Sequence, residues 1–329
     1  MSKFSYRFDK HRQMGFQVVR LSCAGSDPDP SAEKSVAQFT PEIGSNLFNF
    51  KVDGIDYLLD INKDTDPPKL LGTPILYPTP NRVRDAQFTF AGRSFKFKPN
   101  NNANFIHGLV RDQLWTYDKP VAAGDSVSIS TSITFEPGKD IYDLFPIRNT
   151  LKLTYILKAD AIRFDFSIHN DDNQSPLPFG LAIHPYFCII GPRESVRLQV
   201  PAQKWMEAID LLPTGRLIDL ENAPADLRKP VRLSQLNLDD VYWGIEPNNP
   251  QVIYYDSIGK KVTLTASDFF THSVIYTPQR SAFFCIENQS CSTDAHNLYA
   301  QGLKKEAHLS ILAPGETLSA WIEIKVSDQ

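Results

Sequence analysis

Apolar side chains recur along this chain at every second position, and a period of two belongs to the pleat of a β-strand, not to a helix. In SVSISTSITF, Val127, Ile129, Ile133 and Phe135 share one parity, with Thr131 among them. Leu151, Leu153, Tyr155 and Leu157 alternate with Lys152, Thr154, Ile156 and Lys158. Ile162, Phe164, Phe166 and Ile168 alternate with Arg163, Asp165 and Ser167, and the last segment carries Leu318, Ala320, Ile322, Ile324 and Val326. Each such segment puts one face on a core and the other toward water, as in a half-buried antiparallel strand. FTFAGRSFKF adds a hairpin signal, with Phe88 and Phe90 mirrored by Phe95 and Phe97 across Ala91-Gly92-Arg93.

Helix signals are weak. The 24 prolines fall in turns such as TPILYPTP and SPLPFG and interrupt any long helix. The best helical stretch runs from Ser234 to Tyr242, with Ser234 as its cap. Pro201 to Pro230 reads as a turn-rich loop excursion. There is no repeat of about 20–50 residues, no low-complexity run and no linker. A length of 329 residues suggests two domains at about 150 residues each, but all-β folds run longer as one unit. Many strands of one composition class predict a single large β-sandwich over residues 1–329.

Composition narrows the function classes. With 42% hydrophobic and 22% charged residues the chain is globular. Its 34 Lys and Arg against 38 Asp and Glu offer no basic surplus for nucleic acid or an anionic membrane. No apolar run reaches the roughly 18 residues of a membrane helix. MSKFSYRFDKHRQMGF lacks the apolar core of a secretory signal, so a cytoplasmic location is expected. Cys23, Cys188, Cys285 and Cys291 form no C-x-x-C pair and are too sparse for a disulfide scaffold. Buried, reduced thiols are expected.

Several common chemistries have no motif here: phosphate-binding glycine loops, a G-x-S-x-G elbow and H-E-x-x-H are all missing. Three segments instead place a titratable residue beside Gly, Pro or Asn at the end of a strand-like run. In NNNANFIHGLVRD, His107 precedes Gly108. In PLPFGLAIHPYF, Leu181 and Ile183 alternate toward His184, and Pro185 imposes extended geometry on it. In SAFFCIENQSCSTDAHN, the apolar run Phe283–Ile286 ends on Glu287, and a carboxylate there is costly unless paired or used. Each has a plain alternative: His107 bonded to local backbone, His184 as a core histidine on a carbonyl, Glu287 as an ion-pair partner. Asp294 and His296 lie in turn-like surroundings and read as solvated. Two histidines and a glutamate can act as acid and base, or as a metal triad. A cupin-like metal site needs an H-x-H pair, whereas His169, His184, His272, His296 and His308 are isolated, so no metal is expected.

NFIHG, GLAIHPYF and CIENQSCSTDAHN, in this order and spacing, resemble the aldose 1-epimerase (galactose mutarotase) family, from PTPNRV at residue 78 to the C-terminus. The resemblance implies an all-β, antiparallel, galactose mutarotase-like β-supersandwich with few short helices. It also implies interconversion of the α- and β-anomers of a free aldose without metal or organic cofactor. Glu287 matches the base that takes the C1 hydroxyl proton, and His184 the acid that protonates the ring oxygen. His107 matches a second histidine that hydrogen-bonds the substrate. Asn81 and Arg82 match an Asn-Arg pair that binds sugar hydroxyls. Asp239 in LDDVYWG matches a sugar-binding aspartate, with Asp240 as the competing assignment. Two departures leave the sugar open: Leu109 follows Gly108 where a second glycine is frequent, and Val274 replaces a glutamine of galactose-type members. Two other outcomes stay open, an epimerase of a modified or phosphorylated sugar (Arg82, Arg84 and Arg111 lie near the right segments) and a non-catalytic carbohydrate-binding protein. The expected partner is a small-molecule sugar, and the expected state a monomer or homodimer. Trp115, Trp205, Trp243 and Trp321 can stack on a sugar face, though core packing is the simpler role for each.

Overall fold

The alternating segments pair as the pleat requires. In the computed structural model, which describes residues 3–25, 33–62 and 69–329, Ser126–Phe135, Asn149–Leu157, Ala161–Asn170 and Thr317–Asp328 lie side by side, antiparallel. Thr131 faces Leu153, Leu153 faces Phe166, and Phe166 faces Ala320. The sheet continues through Lys260–Ala266, Gln251–Tyr255 and Val196–Gln199 to ten strands. Thr131 is the polar exception on the buried face of its strand, and its hydroxyl meets Ser45 Oγ at 2.8 Å and Leu153 O at 3.3 Å.

A second sheet of eight strands includes, in spatial order, Leu212–Asp219, Lys204–Ile209, Asp239–Trp243, His272–Tyr276, Phe283–Gln289, Ala182–Ile183 and Ile75–Leu76. Tyr186–Cys188 also pairs with Phe283–Gln289. The N-terminal strands Phe4–Lys10, Gln17–Ala24, Glu33–Thr40, Asn46–Val52 and Ile55–Asp56 make a five-stranded meander. Inner faces of all three sheets share one apolar core, with Leu21 and Phe39, Leu153 and Phe164, and Ile275, Phe284 and Ile286 among its members. The α-helices of the described residues are short: Asp140–Leu144, Ala295–Ala300 and Lys304–Ala307. None of them is long and apolar enough to cross a membrane. The thiols of Cys23, Cys285 and Cys291 are buried, that of Cys188 is half-buried, and all are free.

Local expectations fail in two places. Ser234–Tyr242 is not a helix: Leu233–Gln235 makes one 3₁₀ turn without a side-chain cap, and Asp239–Trp243 is a strand. That strand is bracketed by Lys204–Met206 and His272–Tyr276, and pairing on both sides outweighs a weak local preference. Pro201–Pro230 is not a loop excursion: Lys204–Ile209 and Leu212–Asp219 form a hairpin turning at Asp210-Leu211, with a bulge between Met206 and Ala208. Leu212–Asp219 accommodates Pro213 because it is an edge strand, where a missing N–H breaks no ladder. The hairpin at Phe88 forms as expected, with Phe88 opposite Phe95 and their rings stacked at 4.6 Å. Its turn is the two residues Ala91-Gly92, both at positive φ, so Phe90 faces Arg93 and Phe97 lies beyond the strand.

The two faces of Ala161–Asn170 predict opposite costs. Phe164→Ala should lose about 3–5 kcal/mol in urea denaturation. Arg163→Ala, which gives up its ion pair with Asp165 and its stack on Trp321 at 4.3 Å, should lose no more than about 1–2 kcal/mol.

Candidate active site

The strand Phe283–Gln289 has two faces. Phe284 and Ile286 enter the main core, while Cys285, Glu287 and Gln289 project from the other side. Alongside runs a strand broken at His184-Pro185. Ala182 pairs with Gln289 and Tyr186 with Cys285, a register that sets His184 across from Glu287. His184 Nε2 lies 3.2 Å from Glu287 Oε1. Proline after His184 interrupts the ladder, and the His184 N–H instead donates to Pro74 O at 3.0 Å. The imidazole stacks on Tyr186 at 4.6 Å and meets the His107 ring edge-on at 5.1 Å.

His107 arrives from a second layer. Arg82 pairs with Ile106, and the His107 N–H donates to Asn81 O at 3.0 Å. Asn81, His107 and Gly108 have φ of 58°, 71° and 67°. Asn tolerates the left-handed region and Gly occupies it freely, but histidine there is strained, and such strain gathers at functional sites. Gly108 has no substitute, since a Cβ would run into the Tyr77 backbone. Arg82 is clamped: Nη1 donates to Asn81 Oδ1 at 3.2 Å, Nε to Asn101 Oδ1 at 3.2 Å and Nη2 to Asp239 Oδ2 at 3.4 Å. Asp239, through Tyr276 and Cys285 in register, stands on the Glu287 face. Asp240 points the other way and accepts the Trp205 indole N–H at 2.9 Å. Of the two aspartates, Asp239 is therefore the one beside Arg82.

Burial governs the electrostatics. Glu287 is 2% and His184 6% exposed. Desolvation pulls His184 down to about 4 and pushes the Glu287 carboxyl well above the usual carboxylate range, assisted by the charge of Asp239 and opposed by the Gln289 hydrogen bond and Arg82. His107 is lowered by burial and by the neighbouring His184, Arg111 and Arg82. Burial thus favours the neutral pair, carboxylic acid beside imidazole, over the ion pair.

The sequence pattern of the aldose 1-epimerase family matches residues 32–325. The chain belongs to the aldose 1-epimerase family. It is 25% identical over 260 residues to the uncharacterised protein YphB of Escherichia coli (strain K12), covering 76% of this chain and 82% of that one. To the galactose mutarotase of Sus scrofa it is 25% identical over 163 residues, 47% of this chain and 44% of that one. Among solved structures, a galactose mutarotase-like protein from Clostridium acetobutylicum superimposes with a TM-score of 0.85 at 20% identity, over 99% of each chain. A galactose 1-epimerase from Lactobacillus acidophilus gives 0.76 at 17% identity, over 100% of this chain and 99% of that one. These structures share the β-supersandwich fold.

Within this aldose 1-epimerase fold all six residues singled out by sequence, Asn81, Arg82, His107, His184, Asp239 and Glu287, converge on one side of the second sheet. Asp294 and His296, expected in solvent, are buried instead. Asp294 accepts the Arg84 N–H at 3.0 Å and the Asn297 amide at 2.7 Å. His296 stacks on Phe88 at 4.1 Å and bonds Pro178 O at 3.3 Å, because the short helix packs against the Phe88 hairpin. Sequence reasoning passed over Tyr186, Cys285 and Gln289, although each lies two positions from His184 or Glu287, on the same face of a strand. Ligand atoms of His184, Cys285 and Glu287 lie within 4.8 Å of one another. Within the trio Glu287 Oε1 meets His184 Nε2, its Oε2 accepts the Gln289 amide, and burial pushes the Cys285 thiol up. The indoles of Trp115, Trp205 and Trp321 are committed to the Val110 carbonyl, Asp240 and Arg163.

His296 carries a pH prediction. Burial lowers it to about 4 from 6.5, so between these values the unfolded chain holds a proton that the folded one lacks. Stability relative to His296→Gln should therefore fall as pH drops from 7 to 5, by about 2 kcal/mol. Urea denaturation of both proteins at the two pH values reads the difference directly.

Proposed function

We propose that this chain interconverts the α- and β-anomers of a free aldose, with Glu287 as base and His184 as acid. The observation that carries the reading is the 3.2 Å contact between His184 Nε2 and Glu287 Oε1 in a buried, strain-supported site. Opening a cyclic hemiacetal needs one proton removed from the C1 hydroxyl and one delivered to the ring oxygen. The pair holds one exchangeable proton for this purpose. As carboxylate and imidazolium, Glu287 takes the hydroxyl proton while His184 protonates the ring oxygen, and the C1–ring oxygen bond breaks. The pair is left as carboxylic acid and imidazole, the form that burial favours. Rotation about C1–C2 turns the aldehyde, and closure runs both transfers backward on the other face.

The remaining groups suit an uncharged polyol. Arg82, preorganised by Asn81, Asn101 and Asp239, offers donors to ring hydroxyls, and Asp239 offers an acceptor. His107 reaches the reacting end beside His184. A protein that only bound sugar would have no use for an acid and a base matched at this distance. A second substrate reading, an aldose bearing an anionic group, is favoured by Arg111, whose charge is felt at both His107 and His184.

Polarimetry on freshly dissolved α-D-glucose and α-D-galactose tests the proposal. The wild-type protein should speed the optical change, and Glu287→Gln and His184→Asn should each slow it by about 10²-fold or more. If neutral sugars mutarotate only at the spontaneous rate while a phosphorylated aldose responds, the second reading replaces the first. No response from either sinks the enzyme.

The aspartates separate in the same assay. Asp239→Asn should raise KM by about tenfold, the loss of one polar contact to substrate. Asp240→Asn, bonded to Trp205 away from the site, should leave KM unchanged.

A further inference from the structure

The two oxygens of Glu287 are engaged differently. Oε1 faces His184 Nε2 at 3.2 Å, whereas Oε2 accepts the side-chain N–H of Gln289 at 3.1 Å. Gln289 lies two residues further along the strand, so the pleat sets it on the Glu287 face. It is fully buried, in register between Ala182 and His272. Its own carbonyl Oε1 has no hydrogen-bond partner among the described residues. The chemistry proposed above does not use it.

We propose that Gln289 is the positioning residue of this site: its amide pins Oε2 of Glu287, turning Oε1 toward His184 and the reacting hydroxyl, and favours the proton-accepting form of the carboxyl. The kinetic consequence rests on the reading of Glu287 as base, but the hydrogen bond and its effect on the carboxyl do not. An N–H donor bonds a carboxylate more strongly than a carboxylic acid, and in a site emptied of water it stands in for lost hydration. The unpartnered Oε1 fits the same role. Turning the amide over would set oxygen against oxygen while Glu287 is ionised. With the acid's proton on Oε2, the turned amide can accept that O–H. One side chain then serves both states of a group that must alternate between them.

The other groups around Glu287 do not do this. His184 and Tyr186 face it from the broken strand, and Tyr276 and His272 from His272–Tyr276. Asp239 faces it from Asp239–Trp243, Cys285 from its own strand, and Arg82 from Arg82–Val83, with His107 behind His184. Arg82 favours the carboxylate, Asp239 disfavours it, and burial holds His272 neutral, down to about 3. Only Gln289 among them donates to Oε2.

The test is the pH–rate profile of anomerisation for wild type, Gln289→Met and Gln289→Glu. The reacting pair works while it holds one proton and loses that proton as pH rises through the carboxyl pKa, so activity falls on the alkaline side of it. Loss of the donor should move that alkaline limb upward by about one to two pH units, with the loss of rate greatest below the limb and fading above it. A residue that merely packs would lower the rate by one factor at every pH, and that result overturns the proposal. The Glu287 carboxyl, followed by ¹³C NMR and assigned by its disappearance in Glu287→Gln, should titrate higher in Gln289→Met. If its titration does not move, Gln289 has no such role whatever the rates. If it moves in a protein with no anomerase activity, the role stands and the acid–base reading falls instead. Should both variants fail to fold, the side-chain amide signal of Gln289 in the wild-type protein must titrate together with the Glu287 carboxyl. An amide indifferent to that titration overturns the proposal equally.

Discussion

A carboxyl group withdrawn from water needs partners from the protein, and Glu287 makes that demand in the middle of a sheet. What surrounds it follows from where the strand Phe283–Gln289 lies. On one side the neighbouring strand is broken by Pro185, so that His184 faces the carboxyl across the gap instead of continuing the ladder. On the other side His272–Tyr276 and Asp239–Trp243 bring Asp239 within reach of Arg82. Behind all of them Phe284 and Ile286 anchor the strand in the main core. The same seven residues thus provide a core face and a polar face, and neither can move without the other.

The second layer supplies rigidity. Asn81 and His107 both occupy the left-handed region, and the bond from the His107 N–H to Asn81 O ties the two together. Gly108 allows the chain to pass against Tyr77, and Asn81 and Asn101 hold Arg82. This backbone cost is sustained by the surrounding fold, as is usual where side chains must be held in place. Low dielectric then tilts the His184–Glu287 pair toward neutrality, so a transferred proton changes which atom carries it without creating a buried net charge.

Much of this is legible in the sequence. The strands of the large sheet show because the pleat writes burial into alternate positions, and Phe164 and Arg163 differ in fate by a single step. His184 and Glu287 show because a titratable residue ending an apolar run has to be explained. Gln289 and Tyr186 are legible only in hindsight, once parity on a known strand marks them. The strand Asp239–Trp243 is obscured because its stability comes from two neighbours distant in sequence. Asp294 and His296 look solvated because nothing near them in sequence announces the hairpin that covers them.

The sequence by itself determined the class of structure, the face taken by residues of the regularly alternating strands, the catalytic candidates and, by motif, the aldose 1-epimerase family. Those properties live in neighbours a few positions apart, where sterics and period act directly. Only the tertiary structure decided that His184 stands across from Glu287, that Asp239 and not Asp240 joins Arg82, and that the C-terminal strand lies between Ala161–Asn170 and Lys260–Ala266. Register between strands a hundred residues apart is chosen by the total burial it permits. No local stretch of sequence contains that sum.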